Sequence, residues 1–209
     1  MERDELAAGF FLIAHDEFSG KLRVARERLG HGLVAAQLAQ LLIAGRIALA
    51  DGRVVLTDNY SPEPNEVDAY VLDSVQRHVS VRAVRAWVDA LAEPLYERIA
   101  QRLQDLGIVH REGGGGLVRR KPDRFPADDL LTAARPRMRL ERMIRSPKDL
   151  DLPGAFTASL LWTLGAEGVL DPEIDRTAAR ELVRQVNEHL PADLHAVLAG
   201  ARAAADGDG

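Results

Sequence analysis

Residues 33–47 read LVAAQLAQLLIAGRI, and the fold follows from how this stretch must be accommodated. Between 33 and 43 it has no charged residue and only two polar ones, Gln37 and Gln40. Leu33, Val34, Leu38, Leu41 and Leu42 recur at steps of three and four, with alanines in most of the gaps. That is helical periodicity without a charged face. A helix apolar nearly all round needs other helices or lipid about it. The run covers 11 residues, whereas a membrane span needs about twenty, so it reads as a core helix ended by Gly45.

Working outward, residues 6–15 read as a short helix burying Phe10, Phe11, Leu12 and Ile13, and 16–20 as a turn. Residues 21–32 carry Lys21, Arg23, Arg26 and Arg28 and read as a loop or frayed helix. Downstream, 46–49 and 54–57 flank Asp51-Gly52, a strong hairpin signal. A loop at 59–65 precedes helices over 66–79 and 81–91, and Pro94 opens a further helix running to Gly107. A second hairpin is expected from 108–112 and 117–120 around Gly113 to Gly116. The DRFP at 123–126 turns the chain, and 126–145 is largely helical with Pro136 as a kink or break. Residues 147–153 read as a linker, and 154–165 as a second apolar helix with Phe156, Leu160, Leu161, Trp162 and Leu164. Asp171-Pro172 starts an amphipathic helix, 191–205 closes the chain, and 206–209 is a disordered tail. The expected fold is mainly α: one domain over 1–205, a helical bundle around apolar central helices with one or two short β-hairpins.

Composition narrows the function classes. The chain has 209 residues, 46% of them apolar, and no cysteine, which excludes disulfides, Cys-ligated metals and a thiol nucleophile. The N-terminal MERDELAAGFFLIAH places three acids before a very short apolar run and is not a signal peptide. The chain therefore reads as cytoplasmic. Residues 118–148 hold ten Arg or Lys against four acids, a local +6, which leaves −11 on the rest of a chain whose total is −5. A basic segment on an acidic body orients a protein against an anionic surface and disfavours indiscriminate nucleic-acid binding.

Catalytic signatures are missing. His15, His31, His78, His110, His189 and His195 lack ligand spacing with carboxylates, and no HExxH, Walker loop or GxSxG occurs. Gly113 to Gly116 has no Lys-Ser/Thr after it and is not a phosphate cradle. Asp58, Glu63, Glu66, Asp68 and Asp73 read as solvated surface acids, and Trp87 and Trp162 as core residues. The expectation is no enzyme, no metal and no cofactor.

Three features in order carry a resemblance. An apolar helix ends in Gly45-Arg46-Ile47 and is followed by a hairpin. A helix end from Leu103 through Gly107-Ile108-Val109 precedes a second hairpin and then Phe125-Pro126 with acids after it. A late apolar helix, FTASLLWTLGAEGVL, follows at 156–170. This order, over about residues 5–190, resembles the Golgi phosphoprotein 3 family, including its bacterial and mostly actinobacterial members. The resemblance implies a helical bundle with a protruding β-hairpin used in oligomerisation. For the eukaryotic members it implies peripheral membrane proteins that bind phosphatidylinositol 4-phosphate and hold glycosyltransferases by their tails. The headgroup pocket there uses a tryptophan and an arginine ahead of the central helix, plus two arginines three apart on the helix before the hairpin. In this chain those positions fall near Ala25, Val34, Glu93 and Tyr96, so the pocket residues do not carry over. Arg26 and Arg28, with Arg98 and Arg102 one turn apart, become the candidate headgroup ligands.

The resulting expectation is a membrane-surface adaptor on the inner face of the membrane, with an anionic lipid and protein clients as partners. Arg135, Arg139, Arg142 and Arg145, at steps of four, three and three, supply the basic face. Val109, Leu117 and Val118 supply the hairpin's oligomerisation contacts, making a homo-oligomer. The alternatives are an oligomeric scaffold without lipid binding, or a winged-helix nucleic-acid binder. The last is disfavoured because its candidate recognition helix at 33–47 is almost uncharged.

Overall fold

The computed structural model describes residues 5–58, 65–77, 83–113 and 122–207. At its centre is α2 (Arg26–Ile43), following α1 (Leu6–Ala14). Twelve of the eighteen α2 residues are buried, and they point in every direction around the axis. Neighbours therefore surround it: α1, α4 (Val84–Asp105), α6 (Leu152–Thr163) and α8 (Ala192–Asp206) all pack on α2. The helix begins at Arg26 and not at Leu33, so 26–32 is regular helix where a loop or frayed segment is expected from sequence. Its glycines mislead, because they serve close packing. A Cβ on Gly32 would lie 2.3 Å from the Phe10 ring of α1, so only glycine lets the two helices meet at that distance.

Between α2 and α4 come β1 (Ile47–Ala50), β2 (Arg53–Leu56) and α3 (Glu66–Arg77). The strands pair antiparallel from Ile47↔Leu56 to Ala50↔Arg53. Asp51 (φ 51°) and Gly52 (φ 72°) are both left-handed, as a tight two-residue hairpin turn requires. Ile47 and Val54 point into the core.

Pro94, expected to open a helix, and Pro136, expected to kink or break one, both lie inside helices. α4 runs unbroken through Pro94, so the separate helices at 81–91 and from Pro94 are one. Trp87, Val88 and Leu91 before the proline and Leu95, Ile99 and Leu103 after it form one buried stripe. Burying such side chains contributes about 1.5–3 kcal/mol each, which outweighs one lost backbone hydrogen bond. Pro136 lies likewise inside α5 (Leu130–Arg145).

The second strand pairing differs from expectation. Segment 109–112 pairs with 124–127, through the bridges Val109↔Ala127 and Glu112↔Arg124. The expected partner, 117–120, lies outside the described residues. Phe125 is buried and donates its N–H to Gly20 O (2.9 Å), which anchors the returning segment. The expected linker at 147–153 is a 3₁₀ turn at Pro147–Asp149 followed by the start of α6, whose first turn holds Pro153 and is capped by Asp151 accepting from Gly154 N. Helix α7 (Arg176–Asn187) starts after Asp171-Pro172, because Asp175 accepts from Thr177 N and Ala178 N and so supplies the cap. Asp206 ends α8 and does not belong to a tail.

Candidate functional site

Helix α5 presents two unlike faces. Ala133, Leu140, Met143 and Ile144 are buried, and the helix packs on α1 and α6. Asp129 caps its start by accepting from the Thr132 N–H (3.1 Å) and hydroxyl (2.7 Å). Opposite the core, Leu131, Arg135, Met138, Arg142 and Arg145 follow at steps of four, three, four and three, so they share one outer stripe. Leu131 is 78% exposed and Met138 58%.

The arginines of this helix divide into two kinds. Arg137 is held by Glu17 and Glu141. Arg139 pairs with Asp151, and Arg145 with Asp171 at 2.7 Å. Arg135 and Arg142 are exposed and have no carboxylate at ion-pair distance among the described residues. Of the four arginines expected to form the basic face, two are therefore neutralised within the protein and two are not. Leu131 and Met138 lie outside the expected basic face, although their spacing interleaves with the arginines.

The four candidate headgroup arginines do not converge. Arg28 donates to Leu164 O (3.3 Å) at the C-terminal end of α6. Arg98 lies 3.9 Å from the centre of the Tyr70 ring. Arg102 pairs with Glu5 at 2.6 Å, and that hydrogen bond pushes its pKa further up. Arg26 lies 3.2 Å from the centre of the Tyr96 ring and pairs with Glu93 (3.0 Å) and Glu97 (3.8 Å). Glu97 also binds Arg111, which reaches Asp123 at 3.7 Å. Chain segments at 26 and 93–97 thus do meet, but around two arginines and three carboxylates. An internal network of that balance leaves no unneutralised cation for a phosphate.

Beneath this network lies an aromatic cluster. Phe11 stacks on His15 (4.1 Å between ring centres) and meets Phe125 edge-on (5.3 Å), with Tyr96 tilted against Phe11 (5.3 Å) and edge-on to Phe125 (6.0 Å). His15 Nδ1–H donates to Phe11 O (2.8 Å), while Nε2 is buried without a partner. Burial pushes its pKa down to about 4, and the Arg26 charge adds to that. Burial also pushes the Tyr96 hydroxyl up to about 12.

A second polar junction corrects the reading of Asp68 as a solvated acid. Its Oδ1 accepts from Gln37 (2.5 Å) and Gln40 (2.7 Å), and Gln40 Oε1 accepts from Leu6 N (2.8 Å). Gln37 and Gln40 thus tie α1, α2 and α3 together. Burial raises the Asp68 pKa, against the lowering effect of the glutamine donors.

Of the hairpin contacts, Val109 is 2% exposed and belongs to the protein's own core, while Leu117 and Val118 lie outside the described residues. No helix among the described residues is long and apolar enough to cross a membrane. Residues 6–206 match the family model described as Golgi phosphoprotein 3 (GPP34). No curated protein matches the chain.

Proposed function

The chain belongs to the Golgi phosphoprotein 3 family, and from that premise we propose that it is a non-catalytic adaptor that lies on an anionic membrane surface, at the inner face, through the outer stripe of α5. The observation that carries this is the exposure of Leu131 and Met138 on the same stripe as Arg135 and Arg142, which have no carboxylate at ion-pair distance among the described residues. Exposed apolar residues flanked by cations suit the boundary between headgroups and acyl chains: apolar groups enter it and guanidinium groups meet phosphates. Each arginine near such a surface contributes about 1 kcal/mol. Two such arginines and two shallow apolar side chains give weak, reversible attachment, in the millimolar range or somewhat tighter. A protein client held elsewhere on the body, or oligomerisation, would strengthen it by avidity.

Co-sedimentation with vesicles tests the reading. The protein binds vesicles of phosphatidylcholine with 30% phosphatidylglycerol (~30% charged lipid, a strongly anionic surface) and not vesicles of phosphatidylcholine alone. Binding falls as salt rises. Arg135→Glu with Arg142→Glu abolishes it. Equal binding to both vesicle types, or none at low salt, refutes the proposal.

A further inference from the structure

Beside the stripe, α1, α5 and α6 leave a cleft of about 110 Å³. Phe10, Ile13, Pro136, Leu140, Met143 and Pro153 line it, and Arg135 and Arg139 stand among its lining residues. Its few polar groups are already engaged. The Thr157 hydroxyl donates to Pro153 O (2.9 Å), and Glu5 is paired with Arg102 (2.6 Å). Apolar side chains make up most of the lining, and the cation beside them without a carboxylate at ion-pair distance among the described residues is Arg135, so the cleft suits a hydrocarbon chain that carries an anionic end. The charge beside it is cationic, and Arg135 belongs to both the cleft and the stripe.

Resting on the membrane-surface reading above, we infer that this cleft takes the end of one acyl chain from an anionic lipid of the membrane on which α5 lies, with the lipid's charged group against Arg135. At about 110 Å³ the cleft accommodates only a short run of chain carbons. That is too little for a whole lipid tail and enough for a chain terminus or a kinked segment. Gly9 lines the cleft from α1. A Cβ there would touch only Pro136, at 3.6 and 3.9 Å, which are ordinary contacts. Alanine is therefore accommodated at position 9, while the further carbons of a leucine fill the space the chain would use.

Two measurements separate this site from the stripe. Titration calorimetry with decanoate, at concentrations where it is monomeric, reads the cleft in solution. Co-sedimentation with 30% phosphatidylglycerol vesicles (~30% charged lipid) reads the membrane. Wild type and Gly9→Ala bind decanoate and not decyltrimethylammonium. Gly9→Leu and Thr157→Leu, which plug the cleft from two different helices, weaken decanoate binding by a factor on the order of a hundred. They also weaken vesicle binding without changing its salt dependence. Arg142→Glu weakens vesicle binding and leaves decanoate binding unchanged. If wild type does not bind decanoate, or binds it no better than the plugged variant that retains the wild-type circular dichroism, the inference fails. Loss of decanoate binding in the plugged variants with vesicle binding intact overturns the membrane source of the chain. Vesicle binding unaffected by Arg142→Glu refutes the stripe, while the decanoate result still reads the cleft.

Discussion

His15 makes the fold sensitive to mild acid. The imidazole is enclosed by Phe11, Tyr96 and Phe125, with Arg26 nearby, so its protonated form is disfavoured and its pKa falls from 6.5 to about 4. In the unfolded chain the same group protonates below 6.5. Between these values the unfolded state binds a proton that the folded state refuses, so stability rises with pH. The contribution is fully present above about pH 6.5 and is lost as pH falls through 4. At about 1.4 kcal/mol for each tenfold change, the whole span is worth about 3 kcal/mol, and about 2 kcal/mol is already lost at pH 5. Carboxylates titrate in the same range, so the quantity to measure is the difference between wild type and His15→Leu. Leucine fills similar space, has no proton to bind and removes the unpartnered Nε2. Urea denaturation at pH 7.5 and at pH 5 gives the four midpoints required. For a slope of about 2–3 kcal/mol per M, the wild-type midpoint drops by about 0.8 M more than that of His15→Leu. Equal drops in the two proteins refute the burial argument, whatever their absolute stabilities.

Gly32→Ala destabilises the protein by about 1–2 kcal/mol in urea at neutral pH: overpacking against Phe10 (2.3 Å) and Leu164 (3.0 Å) exceeds the roughly 1 kcal/mol gained in helix propensity. A rise in midpoint would show that α1 can retreat from α2 at no cost. Asp68→Ala strands the Gln37 and Gln40 amides and costs about 1–3 kcal/mol. Asp68→Asn retains an acceptor oxygen without the buried charge and costs less, as thermal denaturation of the two variants shows. Because the Asp68 pKa is raised on folding, the wild-type aspartate loses stability as pH rises from 3.8 through its folded pKa. Asp68→Asn removes that slope, which is opposite in sign to that of His15.

The bundle was legible because its main signal is local. A segment with no charged face can only be buried, and the order of apolar helices and hairpin is printed along the chain. What the sequence concealed were competitions between local and distant terms. Pro94 and Pro136 are local breakers, and each is overruled by apolar side chains on both sides that find partners elsewhere in the fold. Gly30 and Gly32 read as weak helix formers, yet their missing side chains are what bring α4 and α1 close to α2. The return strand at 124–127 depends on Phe125 finding the core and on Gly20 accepting its N–H, and neither is visible in the spacing of glycines at 113–116.

For the candidate site, the limit lies in the chemistry of arginine. A guanidinium is satisfied by any carboxylate the fold brings near, and those carboxylates are remote in sequence: Asp151 for Arg139, Asp171 for Arg145, Glu17 for Arg137. Spacing along α5 therefore groups Arg139 and Arg145 with Arg135 and Arg142, although the first two are neutralised. The same applies to Arg26, Arg28, Arg98 and Arg102, each of which found a separate internal partner. In a chain with 24 arginines and three lysines, a count of cations is weak evidence for a surface. An exposed leucine or methionine differs in kind, since nothing in water satisfies it. Leu131 and Met138, at 78% and 58% exposure on the same stripe as Arg135 and Arg142, which have no carboxylate at ion-pair distance among the described residues, therefore weigh more than the number of cations on that face.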